Sequence, residues 1–510
     1  MKKIVLFMMG VSLICGIFIG RLWANPDTYS LLRIFNKILK EIEDSYVVEV
    51  ASDSLIRGAI NGMIEALHDP HTDYLTKEEY ESLMITTKGE FGGIGATIGK
   101  REDKITVISP LEGTPAYHAG LLPGDAIIKV DGVSTKGKSV DIVVKDIRGK
   151  PGTKVVLTIE RTIIEEPFDV EIIRANIKLD AVPYYGIVDD GIGYVQLATF
   201  SQTADTELEA ALDSLFVLGA QKIIFDLRLN SGGLLREGVI VSELFLCSED
   251  KEVVITKGRI ESKTVYKTKK ACPYGDFPLI TLVDGGSASA SEIVAGALQD
   301  WDRSLIMGTT TFGKGSVQKI FPLEDGGALK LTTDRWYTPS GRSIDKSVEL
   351  LETEGDEDTS EVVEKKEFTT LGPLKRTVYG EGGITPDVVV EPPKMTKLET
   401  DIITKGYNFD YVVRYTATHK DIGKNFTVDD KILKDFAVYL LEKGLEFTEE
   451  QFDSVKVSFK KRLHQNIVTN VWGLKEGYQV RVENDPLVDQ AIELLKEVNT
   501  TQDLFRFSDE

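Results

Sequence analysis

Histidine is the scarcest of the side chains that usually act as bases here: five in 510 residues, His68, His71, His118, His419 and His464. The first two fall in a helical N-terminal segment, the third in a region of short strands and turns, and the last two in a C-terminal helical region. None lies among the serine- and glycine-rich motifs described below, so a serine nucleophile would lack its usual imidazole partner. Cysteine is equally sparse, at three. There is no CxxC, no HExxH and no cluster with metal-ligand spacing, so neither a metal nor any other cofactor is implied. His68 and His71 flank Pro70, which breaks helical geometry between them, and they read as a structural turn. Cys15 follows Ile14 rather than a small residue, which argues against a lipoprotein site. For Cys247 and Cys272 a disulfide and two separate thiols both stay open. Basic residues are outnumbered 60 to 81, for a net charge of −21, and no basic stripe appears. Nucleic acid is thereby excluded as a partner.

Long apolar runs are also missing, with one exception. After Lys2-Lys3, residues 4–20 carry no charge, which is the pattern of an export signal or a membrane anchor. A cleaved signal favours small residues at −3 and −1. Ala24 would serve at −1, but Leu22 stands at −3, so an uncleaved anchor is favoured. Either way the body is expected outside the cytoplasm, on the periplasmic or outer face of the membrane, held there by the N-terminal segment alone.

What is present is concentrated in a few motifs. FPLITLVD reads as a buried strand, Gly285-Gly286 turn the chain, and SASASEIVAGALQD (Ser287–Asp300) continues as a helix. Ser289 therefore sits at a helix N-terminus, where unpaired N–H groups favour developing negative charge. A plainer reading is a capping box, Ser289 with Glu292 three residues on. Lys314, bracketed by Gly313 and Gly315 ahead of a strand, tilts the balance. A serine hydroxyl needs a base. A lysine can supply one if its pKa falls from about 10.4 to near 7, a change of about 4–5 kcal/mol. Burial without a carboxylate partner does this, and the sequence neighbours of Lys314 include no acid. Strand alternation places residues 314, 316 and 318 on one face, where the Gln318 amide can orient the lysine. Upstream, FDLRLNSGG ends a strand in a turn whose Gly232 and Gly233 let backbone approach a substrate.

SASASEIVAGALQD, TFGKGSVQ, FDLRLNSGG and GGITPDVVVEPP (382–393) together resemble the C-terminal processing, or tail-specific, serine proteases. The resemblance runs from about Phe35 to Pro393. It implies Ser289 as nucleophile, Lys314 as general base and Gln318 as its support. It places the oxyanion hole on Gly232 or Gly233 together with Ala290. One variant of the family assigns a supporting acid eleven residues after the serine. Asp300 stands there, and beside Trp301-Asp302-Arg303 it reads as part of a solvated helix end.

The remaining chain divides by pattern into a multidomain α/β protein. Residues 1–24 form the signal or anchor and 25–88 an N-terminal helical region. Residues 89–165 shift to short strands and turns and resemble a PDZ domain, most closely in GLLPGDAIIKVDG. Such modules add a peptide as a strand and hold its carboxylate on loop N–H groups; Phe91, Gly92, Gly93, Ile94 and Gly95 would be that loop. Residues 166–393 alternate strands and helices, and the resemblance narrows them to a ClpP/crotonase-like protease core carrying an acidic loop at 345–367. Residues 394–510 read as a helical accessory domain. For Arg148, in the IRGKPGT turn, two readings stay open: a solvated surface arginine, or a regulatory one that helps settle Gln318 and Lys314 once a tail docks. The expected partners are protein and peptide substrates with free C-terminal tails. An adaptor or activator and self-association stay open. The competing functions are a peptide-binding scaffold or chaperone with an inactive core, and a crotonase-type acyl-CoA enzyme. The first would have lost the serine or lysine, and the second would lack the PDZ module.

Overall fold

A computed structural model describes residues 26–508, apart from 163, 261, 271–272, 347–365, 381, 420 and 424. The expected anchor or signal, Cys272 and most of the acidic 345–367 segment lie outside the described residues. Cys247 is disulfide-bonded. The chain forms two compact units. One comprises residues up to Tyr80 together with Gln318–Thr332; the other comprises Glu81–Val317 and Thr333–Glu510.

In the first unit, helices Pro26–Ser45 and Ser52–Glu65 are followed by the short strand Asp73–Leu75. That strand pairs antiparallel with residues 328–330, Tyr74 opposite Leu329. The second helix buries none of its residues. Leu31, Leu32, Ile34, Phe35 and Ile38 of the first helix are all exposed.

In the second unit, the protease core is a six-stranded sheet in the order Tyr184–Asp189, Ile192–Gln196, Lys222–Asp226, Leu279–Val283, Leu305–Gly308 and Val388–Val389. All neighbours are parallel except the first pair. The strands are apolar on both faces because both are covered. Ile223, Phe225, Leu279 and Val283 face a cluster built with the helices Ala204–Val217, Leu235–Glu243 and Ala290–Asp300. The alternating Ile224, Ile280 and Leu282 face a second cluster that includes Val482, Val488, Ala491, Leu495 and Leu504.

That second cluster revises the accessory domain expected over 394–510. Its earlier helices, Lys397–Thr404 through Glu449–Trp472, share a core of their own around Phe436, Phe459 and Leu463. Helices Leu474–Val482 and Pro486–Lys496 instead supply the second face of the protease sheet. Lys222 Nζ, on a central strand, donates to the Leu495 carbonyl at 2.7 Å. The rear helical layer is thus drawn from residues far downstream of the strands it covers.

The strand-and-turn region forms a five-strand path from Ala96–Arg101 through Lys104–Pro110, Ala126–Val130 and Lys154–Glu160 to Phe168–Ile173, with helix Val140–Ile147 packed on it. The sheet therefore runs past the expected boundary at 165. Ala96–Arg101 is an edge strand, hydrogen-bonded on one side only, to Lys104–Pro110, among the described residues.

Candidate active site

Three consecutive parallel strands deliver the site, since their C-terminal ends open at one edge of the sheet. Lys222–Asp226 leads into the Asn230–Gly233 turn, Leu279–Val283 into the serine turn, and Leu305–Gly308 into the lysine turn.

Only one serine of the SASAS run is placed for chemistry. Ser287 and Ser291 are fully buried. Ser287 Oγ donates to the Leu227 carbonyl at 2.8 Å and Ser291 Oγ to the Asn230 carbonyl at 2.7 Å. Ser289, half-buried between them, has φ +55° and ψ −111°, immediately before the Ala290–Asp300 helix. A non-glycine residue in that region of backbone space is strained by about 1–3 kcal/mol, and such strain at a strand-to-helix turn is one way to present a nucleophile.

Asn230 ties the glycine turn to the serine turn. Its Nδ2 donates to the Leu197 carbonyl at 2.8 Å, and its own carbonyl accepts Ala288 N–H at 3.0 Å. Gly232 packs so closely that a Cβ there would lie 2.9 Å from Ser289 Cβ and 3.0 Å from Ala290 N. Between the two candidate oxyanion donors on this turn the hydrogen bonds discriminate. Gly232 N–H already donates to Asn230 Oδ1 at 2.9 Å. Gly233 N–H and Ala290 N–H have no such partner among the described residues. Gly233 holds φ +149° beside Phe200, where a Cβ would come 2.4 Å from the Phe200 carbonyl oxygen, so no other residue fits.

The structure gives Glu292 far more than a helix cap. Its carboxylate is fully buried and has four donors. Oε2 accepts Ser289 N–H at 2.8 Å and Lys314 N–H at 3.0 Å. Oε1 accepts Gly313 N–H at 2.7 Å and the Thr311 hydroxyl at 2.5 Å. The Ser289 and Lys314 backbones are thus no farther apart than two hydrogen bonds to one oxygen allow. Burial pushes the Glu292 carboxyl above its ordinary value, while Thr311 and the three N–H groups work against that rise. The expectation that no acid lies near Lys314 is therefore corrected: folding brings one to its backbone. Trp336 fixes the other side, its Nε1 donating to the Lys314 carbonyl at 2.9 Å. The GGITP segment completes the lysine turn, with Ile384 N–H donating to Thr311 Oγ1 at 2.7 Å.

One further expectation is corrected, and one of two open readings is removed. Asp300 is not solvated: it is fully buried, with Oδ1 accepting Arg342 Nη2 at 2.5 Å and Oδ2 accepting Ser340 N–H at 2.8 Å. It ends the eleven-residue helix that Ala290 begins, about 15 Å away at 1.5 Å per residue. Arg148 does not project into solvent either. It is half-buried with its guanidinium carbon 4.9 Å from the Phe91 ring centroid, and burial lowers its pKa. The carbonyls at the end of the preceding helix are instead served by Arg174, whose Nε donates to the Ile147 carbonyl at 2.7 Å.

The remaining predicted residues form separate neighbourhoods. Residues 90–93 pair antiparallel with Ala175–Lys178. Ile94 and Gly95 follow, their carbonyls accepting Ala116 N–H and Leu111 N–H. Gln318 lies on the strand Ser316–Pro322, and its Nε2 donates to Thr332 Oγ1 at 3.2 Å. Glu292, Asn230 and Thr311 are the functional-site residues that sequence reasoning passed over. The S-x-x-E spacing was the one visible signal.

Comparison with known proteins agrees with this architecture. A model of peptidase family S41 matches residues 191–352, and a PDZ-domain model matches 106–161. The N-terminal domain of the activating protease CtpB matches 24–79, and the C-terminal helical domain of a PDZ-protease matches 398–456. The carboxy-terminal-processing protease of Bartonella bacilliformis is 38% identical over 79% of this chain and 86% of its own. The carboxy-terminal processing protease CtpA of Bacillus subtilis is 34% identical over 90% and 89%. Among solved structures, the photosystem II D1 C-terminal processing protease aligns at 26% identity over 70% of this chain and 92% of its own, with a TM-score of 0.38. The fold and site define a serine-type peptidase. This chain belongs to peptidase family S41, the C-terminal processing proteases with a PDZ domain.

Proposed function

We propose that this chain is an extracytoplasmic endopeptidase that docks unstructured C-terminal tails on its PDZ domain and cleaves with a Ser289–Lys314 dyad. The observation that carries the reading is the Glu292 carboxylate, which clamps the backbones of both residues to one oxygen. Lys314 takes the Ser289 proton as the hydroxyl attacks the scissile carbonyl, and later returns it to the leaving amine. Gly233 N–H and Ala290 N–H receive the oxyanion, and Gln318 orients the lysine. Exposed Leu229 and Phe312, on the turns around Ser289, offer apolar contacts for substrate side chains.

The edge strand Ala96–Arg101 has an open side beside helix Val140–Ile147, which suits addition of a tail as a further strand. The loop 91–95 would hold the terminal carboxylate, and Arg148 on Phe91 is placed to register its arrival. An extracytoplasmic setting is supported by the charge-free 4–20 segment after Lys2-Lys3 and by the disulfide at Cys247.

The test is cleavage of a tailed peptide, with products identified by mass spectrometry. Ser289→Ala, Lys314→Ala and Lys314→Arg should each abolish cleavage, because arginine cannot act as a neutral base. Full activity in either lysine variant would remove the dyad. A tail peptide with an amidated C-terminus should bind more weakly than the free acid; equal affinities would remove the carboxylate site.

A further inference from the structure

We propose that Leu229 is a specificity-determining residue of the peptidase site: with Phe312 it selects substrates that carry an apolar side chain next to the bond being cut. The inference rests on the reading of Ser289 as the nucleophile, and it adds the class of peptide that this site prefers.

Leu229 sits on a backbone that does not suit its side chain. Its φ is +59°, in the left-handed region where a Cβ crowds the following carbonyl oxygen. Glycine adopts this conformation freely, and asparagine and aspartate tolerate it. Among the described residues nine other than glycine have positive φ, and Leu229 is the one of them with an apolar side chain. The turn fixes the conformation without help from that side chain. Before it, Arg228 N–H donates to Asp226 Oδ1 at 2.8 Å and Arg228 Nη2 to Asp226 Oδ2 at 2.6 Å. After it, Asn230 Nδ2 donates to the Leu197 carbonyl at 2.8 Å. Between these anchors Leu229 N–H donates to Asp284 Oδ1 at 2.9 Å. Only the backbone of residue 229 takes part, so asparagine would satisfy the turn with less strain.

Nor does the core need the leucine, which is 76% exposed. What its side chain covers is the turn that leads into the serine: a Cβ on Gly286 would lie 3.1 Å from Leu229 Cδ2. Phe312, 49% exposed, borders the same turn from the lysine side, its N–H donating to the Ser287 carbonyl at 3.0 Å. Gly285 and Gly286 thus form a floor without side chains, edged by a leucine on the oxyanion turn and a phenylalanine on the lysine turn. Gly286 is three residues before Ser289, a span of at most about 11 Å, so a substrate residue flanking the attacked carbonyl can lay its side chain on this floor. An apolar side chain placed there leaves water together with Leu229 and Phe312, whereas a charged one would be desolvated. A strained leucine kept where asparagine would be relaxed fits a side chain that is used in binding.

The experiment measures kcat/KM, with products identified by mass spectrometry, for full-length chains carrying Leu229→Asn or Leu229→Met beside the parent. The substrates are tailed peptides that differ only in the two residues flanking the cut bond, with leucine, serine or lysine at either position. At one of the two positions the parent should favour leucine over serine by roughly tenfold or more, the scale of a change of one or two methylenes in an apolar pocket. Leu229→Asn should fall about tenfold on the leucine peptide and stay within about threefold of the parent on the serine peptide. Leu229→Met keeps an apolar side chain and should keep the preference. Because asparagine suits the backbone, Leu229→Asn should also unfold at a temperature no lower than the parent. The proposal is overturned if Leu229→Asn keeps the parent's preference, if it loses activity equally on every peptide, or if Leu229→Met loses the preference as fully as Leu229→Asn. It is overturned as well if the asparagine variant melts lower, since the fold would then need the leucine, or if the parent prefers lysine, which Asp284 could pair. Cleavage that persists in Ser289→Ala would instead bring down the nucleophile beneath the proposal, which the Leu229 variants leave untouched.

Discussion

Two helices of this chain mark opposite extremes. Every residue of Ala290–Asp300 is buried, including Ser291, Glu292, Gln299 and Asp300, whereas Ser52–Glu65 buries none and Pro26–Ser45 leaves Leu31, Leu32, Ile34 and Ile38 exposed. Both kinds are amphipathic in sequence, so the contrast comes from what surrounds them. The first is a crossover between parallel strands, enclosed by the sheet and by its neighbour Leu235–Glu243. There the polar groups must be satisfied internally, and each one is bonded to a particular partner. A nucleophile at the start of such a helix inherits a position defined by the whole core. The N-terminal helices have no such constraint, and their local sequence alone does not fix what they touch.

The comparison can be broken at the C-terminal end of the buried helix, where the largest stability effect is expected. Asp300→Ala leaves the Arg342 guanidinium buried without its carboxylate, which should cost about 3–5 kcal/mol in a chemical denaturation experiment. Because Asp300 lies at the far end of the helix from Ser289, kcat per folded molecule should be unchanged. A loss below about 1 kcal/mol, the scale of an exposed pair, would mean that this end of the helix is wetter than its surroundings indicate.

A middle-sized effect is expected at Glu237, on the neighbouring helix. Burial, with Asp205 adding repulsion, pushes its carboxyl up to about 7, and its Oε2 has no hydrogen-bond partner among the described residues. A raised carboxyl pKa means the folded state prefers the protonated form. Its contribution is complete below about pH 4.5, declines between there and pH 7, and is absent above. Glu237→Gln should therefore gain roughly 3 kcal/mol over the parent at pH 8 and nothing at pH 4, since each pH unit between the folded and unfolded values is worth about 1.4 kcal/mol. Parallel stability–pH curves for the two proteins would refute it. The smallest effect belongs to the exposed helix. Leu32→Ser and Ile38→Ser, at positions about half exposed, should each change stability by less than about 0.5 kcal/mol in the isolated chain. A larger loss would show that this face is covered in solution.

Legibility followed the same divide. The site strands were readable because each is a short apolar run ending in glycines, and Ser289, Lys314 and the glycine turn were marked by motifs that are contiguous in sequence. Glu292 was visible only as a cap, since three of its four donors come from residues 311–314, and spacing along one helix cannot report them. Asp300 was misread for the same reason: its partner Arg342 is remote in sequence, and the acid beside Trp301-Asp302-Arg303 looked like a solvated end. The solvated reading of Arg148 fails because Phe91 reaches it from outside its own turn. The second face of the sheet was missed because the helices that cover it carry the same amphipathic pattern as those that do not. Periodicity says that a helix has an apolar face, not which surface receives it.

That rear layer sets an order of events in time. Ile224, Ile280 and Leu282 are covered by Val488, Ala491 and Leu495, more than two hundred residues later in the chain, and contacts of such separation form late because a long loop must close first. While the polypeptide is being made, the strands that carry Ser289 and Lys314 emerge with one face bare. Until those helices are made, the sheet keeps this apolar face uncovered and cannot reach its folded packing.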